Sequence, residues 1–343
     1  MKVYIILLVI CIISLKLYTY CKNKIFKIFP YIAMSFVCGF RGENVGIDTI
    51  NYNIMYEYIK IGLEVKAEYG YYFLVKIVQT IGASQQLVFL IMSSLTSIFI
   101  YKYIDYESDN FEISTLIYLC IGPYYFTSYN TIREALAVAI FLFSIRYIRK
   151  SRIKYIFWIL VASLFHQSVI LFLGILIFDK IISKFSYLKT MIFTTVLGLL
   201  FLNTGIIDFI IKNYLPQYKN YINGHYQTMD ISYLFFAFIS VVIIFIASIK
   251  KTKFKSKHTE LLILAFIFII LPIITDKFTM IFTRLASYVT PILIIITPKL
   301  RNIIKQKKIY NICLLIFCFS YFIFLISKNI NMNRYVFNFN LIK

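Results

Sequence analysis

Residues 3–20 read VYIILLVICIISLKLYTY, eighteen positions with one charge, Lys16. A helix rises about 1.5 Å per residue, so this run is about 27 Å long, close to the ~30 Å hydrocarbon core of a bilayer. A cluster of Lys16, Lys22, Lys24 and Lys27 follows, and a second apolar run covers 25–40. The same alternation continues down the chain. Apolar segments lie near 70–82, 86–104, 113–129, 132–148, 154–178, 190–211, 231–249, 260–275, 280–298 and 309–327. Of 343 residues, 60% are hydrophobic and 15% charged, and the mean hydropathy is +0.79. A water-soluble domain of this size cannot hide so much apolar surface. The expected fold is an all-α polytopic membrane protein with about 10–11 transmembrane helices, one or two of them broken or re-entrant. It forms one integral domain over 1–343, with outer loops near 41–69 and 212–230.

The net charge of +21 does not point to nucleic acid. The basic residues sit at the ends of apolar runs, where they fix orientation and meet anionic headgroups. The six cysteines are scattered, mostly inside apolar runs, without metal-ligand spacing. They read as small packing residues, and no metal or cofactor is expected. No small-residue cleavage site follows the first run, which reads as an uncleaved span.

Four basic clusters mark the cytoplasmic side: the one at 16–27, then Arg146 to Lys154, Lys250 to Lys257, and Lys299 to Lys308. The 41–68 loop, the 129–133 corner and the 212–230 loop then face outward. Parity exposes irregularity, because three apolar segments separate two inside clusters, at 146–154 and 250–257. Segment 154–178 is interrupted by Phe165-His166-Gln167-Ser168 and reads as two short helices meeting near His166. Segment 70–82 carries Lys76 and is too short to span comfortably, which suits an interfacial or re-entrant helix. Broken helices at membrane depth occur only where protein or a water-filled cavity surrounds them, so they point to a site.

Ionisable groups beside membrane segments are costly and draw attention for that reason. Arg133 opens an apolar helix at the outer face, where a fixed cation joins free backbone N–H groups to suit a phosphate. The plainer reading is a snorkelling arginine neutralised by Glu134. Arg284 repeats the pattern at the start of segment 280–298 and could clamp a diphosphate from a second side, or simply anchor the interface. His166 occupies the break in segment 154–178, as a base or as a packing residue. Asp48 lies in the outer loop, as does Glu68, and a carboxylate there could hold or deprotonate an acceptor hydroxyl or be merely solvated. Tyrosines crowd both outer loops, suiting sugar stacking or an interfacial aromatic belt. No Walker loop, dinucleotide fingerprint, zinc spacing or nucleophile elbow is present in the sequence.

In order, Gly46-Ile47-Asp48-Thr49 with Tyr52, Glu68, Ile132-Arg133-Glu134-Ala135-Leu136-Ala137, Leu164-Phe165-His166-Gln167-Ser168, and Arg284 with Tyr288 resemble the EpsG family of Wzy-type polysaccharide polymerases. The resemblance runs from about residue 30 to 300. It implies a metal-independent glycosyltransferase like the polytopic (GT-C-like) enzymes. Such an enzyme joins undecaprenyl-diphosphate-linked oligosaccharide repeat units at the outer face of a bacterial cytoplasmic membrane, for an O-antigen, capsule or exopolysaccharide. It implies His166 and Asp48 as catalytic groups, Arg133 and Arg284 on the diphosphate, and Tyr52, Glu68 and Tyr288 near sugar. It also implies membrane lipid, a chain-length regulator and a flippase as partners. Glu134 departs from the family pattern, which favours Gln there.

Rival readings are a flippase or transporter of the same lipid-linked sugar, a ligase or acyltransferase of envelope glycans, and a non-catalytic scaffold. A transporter should show internal repeats and charges reachable from both sides. The sequence shows no repeat, and its polar residues gather on one face.

Overall fold

A computed structural model of the chain describes residues 1–121, 124–177, 186–206, 209, 213, 238–245, 256–275, 279–302, 304, 306–328 and 335–342. The 212–230 loop apart from residue 213, Lys180, Lys184 and the basic cluster at 250–255 lie outside the described residues. The chain gathers into two compact units, one of Met1–Leu171 with Ile294–Lys343 and the other of Phe172–Leu293.

Secondary structure among the described residues is helical, apart from isolated bridges pairing Arg41 with Phe337 and Ala83 with Ile342. Among the described residues, five helices are long and apolar enough to cross a membrane: Lys2–Cys21, Gln85–Glu107, Lys257–Thr275, Ile281–Leu300 and Lys307–Lys328. Shorter apolar helices cover Ile25–Gly39, Phe111–Cys120, Gln167–Ile177 and Tyr187–Asn203. The chain is an all-α, multi-pass membrane protein.

In the first unit α1 (Lys2–Cys21) buries Tyr4, Leu7, Leu8, Cys11, Ser14 and Leu15. These recur every three or four residues and make one stripe along the helix. That stripe packs on α2 (Ile25–Gly39), while Ile5, Ile6, Val9, Ile10 and Ile13 stay exposed as a face for lipid. After α2 the 41–68 loop holds α3 (Thr49–Lys60), which buries Tyr52, Tyr56 and Ile59. The sequence reading had only a polar interruption there. Next come α4 (Tyr69–Thr80) and α5 (Gln85–Glu107). Helices α6 (Phe111–Cys120), α7 (Thr127–Asn130), α8 (Ile132–Ser144) and α9 (Arg152–Ser163) follow. Neighbouring helices run α1, α2, α5, α8, α9 across the unit.

Close approach of α2 to α5 depends on small residues. A Cβ on Gly39 would sit 2.8 Å from Leu90 Cα, and Ser93 Oγ donates to the Ser35 carbonyl at 3.0 Å. Small and hydroxyl-bearing side chains are how helices associate where lipid supplies no hydrophobic contrast. Helix α4 has twelve residues, about 18 Å, which is too short to cross. The sequence expectation for this segment agrees.

The second unit contains α10 (Tyr187–Asn203), α11 (Ser256–Thr275) and α12 (Thr279–Val289). Helix α11 packs against both of the others, and Gly198 lets the Leu271 side chain approach α10. Helix α13 (Leu293–Leu300) follows a 3₁₀ turn after α12, and α14 (Lys307–Lys328) returns to the first unit, against α6.

Candidate functional site

Segment 154–178 breaks where its sequence says it should. Helix α9 ends at Ser163, and the Phe165 and His166 N–H groups both donate to the Ala162 carbonyl, at 3.0 and 3.1 Å. A 3₁₀ helix over Gln167–Gly174 then begins. The break frees the Leu164 carbonyl, which accepts from the Gly70 N–H at 2.8 Å. A Cβ on Gly70 would lie 2.7 Å from that oxygen, so only glycine lets the start of α4 dock there. Docking brings the residue just before α4 beside the break, and that residue is Glu68.

Glu68 is extended at φ −66° and ψ 147°, and its side chain makes no capping bond to α4. Both carboxylate oxygens therefore turn to other partners. Oε1 pairs with His166 Nδ1 at 3.0 Å, and Oε2 forms a salt bridge with Arg133 Nη1. Side-chain exposure of the three is 14% for Glu68, 17% for His166 and 21% for Arg133. Burial alone would raise the Glu68 pKa, but the His166 hydrogen bond and the Arg133 charge outweigh it and hold the carboxyl below its ordinary value.

Arg133 is the second residue of α8, at the positive end of that helix. Its Cζ lies 5.8 Å from the Tyr52 ring and 5.6 Å from the Tyr71 ring, whose centroids are 5.7 Å apart. Burial, the largest influence, pushes both phenols above their usual pKa, so both stay neutral. Two buried nitrogens of the cluster have no partner, Arg133 Nε and His166 Nε2. A carboxylate on Nδ1 favours the tautomer with its proton there, leaving Nε2 a free lone pair. The cluster thus combines an oriented imidazole base with a guanidinium that keeps an unused donor.

The sequence candidates divide. Arg133, His166, Glu68 and Tyr52 come together, although they are separated by up to 114 positions. Glu68, expected near sugar, is the hub, and within the cluster it is the carboxylate that pairs with Arg133. Asp48 stands at the start of α3 and accepts from Asn51 Nδ2 at 3.4 Å. Arg284 and Tyr288 belong to the second unit, where Tyr288 is fully buried with its ring 5.0 Å from Phe172.

A family comparison matches residues 24–342 to the EpsG family. The chain belongs to the EpsG family. Membership points to a glycosyltransferase-like polymerase of surface polysaccharide biosynthesis. No curated protein and no solved structure matches the chain.

The sequence reading passed over Arg41, which is fully buried. Its Nη1 donates to the Cys38 carbonyl at 2.8 Å, its Nε donates to Thr49 Oγ1 at 3.2 Å, and its Cζ lies 4.1 Å from the Phe89 ring. Arg41 and Thr49 close the turn around Gly46, whose φ of +89° favours glycine. The only sequence signal was an arginine followed by glycine at the end of an apolar helix.

Proposed function

We propose that this EpsG-family protein joins lipid-diphosphate-linked oligosaccharide units at the outer face of a bacterial cytoplasmic membrane, with His166 as the base and Arg133 on the leaving group. The observation that carries this reading is one carboxylate, Glu68, holding both His166 and Arg133 beside a helix break, with His166 Nε2 left without a hydrogen-bond partner.

In the proposed step, a hydroxyl oxygen of the incoming unit bonds to the anomeric carbon of the donor sugar. Its proton passes to His166 Nε2, and Glu68 stabilises the imidazolium that results. The bond from the anomeric carbon to the lipid diphosphate breaks, and both electrons leave with the diphosphate. Arg133 meets the charge that develops there, supported by the positive end of α8. Asp48 helps orient the acceptor. Undecaprenyl is the lipid carrier in this scheme. Arg133 supplies the charge stabilisation, so the scheme calls for no metal. A flippase delivers the units, and a chain-length regulator acts on the growing chain.

The test is polymer formation in cells, with protein levels matched. Arg133→Ala and His166→Ala should each lower polymer by about 100-fold or more, with lipid-linked single units accumulating. Polymer of unchanged amount and length from both variants would overturn the reading.

A further inference from the structure

A cavity of about 660 Å³ opens on the first unit, between α3, the start of α5 and residues 335–342. Its size falls within the roughly 300–1,000 Å³ range of small-molecule sites. The third wall is a strap of chain bound along its length. Gly42 N–H donates to the Val336 carbonyl at 2.7 Å, Asn338 N–H to the Phe40 carbonyl at 2.8 Å, and Ser84 N–H to the Leu341 carbonyl at 2.9 Å. Phe337 and Phe339 stack at 5.4 Å, and both pack against Phe36.

The chemistry of the lining is distinctive. Glu43, Glu57, Asn53, Asn338 and Asn340 face the cavity, and none of its lining residues is a lysine or arginine. In a chain of net charge +21, that leaves a locally acidic, amide-rich pocket. A diphosphate would be repelled there. Vicinal hydroxyls are well matched, because amides and carboxylates can donate to or accept from both members of a pair. Tyr58, 46% exposed, adds an aromatic face at the rim.

The wall itself carries a second feature. Gln85 lines the cavity, is 93% buried, and its Oε1 has no hydrogen-bond partner. Its Nε2 donates to the Tyr71 hydroxyl at 3.2 Å, and the Tyr71 ring lies 5.6 Å from Arg133 Cζ. Tyr71 therefore connects Gln85 of the cavity lining to the Glu68 cluster.

We propose that this cavity is a carbohydrate subsite for uncharged or amino-sugar residues of the oligosaccharide chain, held apart from the diphosphate. Its place in polymerisation rests on the function proposed above, whereas binding itself does not.

The probe is a lipid-free, phosphate-free oligosaccharide released by mild acid from the host's own surface polysaccharide. The full chain in nanodiscs is titrated with it and followed by saturation-transfer NMR. Wild type and Arg133→Ala should bind alike. The Asn53→Ala/Asn338→Ala double variant should bind at least 10-fold more weakly, and so should Tyr58→Ala, whose exposed side chain is dispensable for folding. In cells, both cavity variants should give shorter polymer while still forming the first linkage. Absence of binding to wild type, or undiminished affinity in Tyr58→Ala and in a folded double variant, would overturn the subsite. Normal polymer from Arg133→Ala and His166→Ala alongside weakened binding in the cavity variants would instead remove the polymerase reading and leave the subsite standing.

Discussion

Glu68 is the residue on which the cluster turns, and its ionisation gives a test that needs no substrate. Its folded pKa lies below the ordinary 4.5, because the His166 bond and the Arg133 charge outweigh burial. The stability it contributes is therefore complete above about pH 4.5 and is lost as pH falls through the lower folded value. Glu68→Gln removes the charge but keeps the shape. The variant should be less stable than wild type at pH 7 by about 1–2 kcal/mol and so unfold at lower temperature, and the gap should narrow as pH drops below 4.5. Thermal unfolding in detergent between pH 3.5 and 7 reads this, and a gap that stays constant across the range would count against the ion pair. Polymer formation should fall about 100-fold, because an imidazole without its carboxylate loses both tautomer and orientation. The sequence exposed Arg133 and His166 as groups costly to bury, but Glu68 read as an ordinary loop carboxylate. Its partners are 65 and 98 positions away, and nothing local to Glu-Tyr-Gly-Tyr-Tyr announces that distance.

Two of the elements that build the site do not cross. Helix α4 is amphipathic and short, α9 stops at Ser163, and a single hydrogen bond from Gly70 to Leu164 joins them. Both irregularities were legible in the sequence, one from length and Lys76, the other from Phe165-His166-Gln167-Ser168 inside an apolar run. Their contact was not, since it depends on a carbonyl that exists as a free acceptor only after α9 breaks. Gly70→Ala should push α4 away from that carbonyl, destabilise the protein by about 1–3 kcal/mol and reduce activity by about 10-fold or more. Gly174→Ala is the control, because a Cβ there meets nothing within 4 Å. Equal behaviour of the two alanine variants, in unfolding temperature and in polymer yield, would show that the α4–α9 junction does not position Glu68. Helix α3 and the terminal strap were hidden for a related reason. The apolar face of α3 is short, and the backbone bonds of the strap go to partners far along the chain, such as Val336 to Gly42.

At the scale of the whole molecule, orientation follows from one helix pair. Arg146 Nη2 donates to the Lys102 carbonyl at 3.1 Å, so the C-terminal ends of α5 and α8 lie together. At their other ends, Gln85 meets Tyr71, whose ring faces Arg133. The two helices therefore run parallel, and α5 with its 23 residues is about 34 Å long, enough to cross a bilayer. The basic end, with Lys102, Arg146 and Lys150, and the Glu68 end must then lie on opposite sides of the membrane. The proposed orientation, in which basic residues stay inside, puts Lys150 in the cytoplasm and residues 41–68 outside. That alternation was the most legible feature of the sequence, because hydropathy and charge act on every segment independently of tertiary contacts. Ile47, 70% exposed in the 41–68 loop, and the exposed Lys150 are suitable reporters. With the exposed Cys21 and Cys313 changed to serine, Ile47→Cys should react with an impermeant maleimide added to intact cells. Lys150→Cys should react only after the membrane is opened. The reverse pattern would invert the protein, put the Glu68 cluster on the cytoplasmic side, and leave no route by which units delivered to the outer leaflet could reach it.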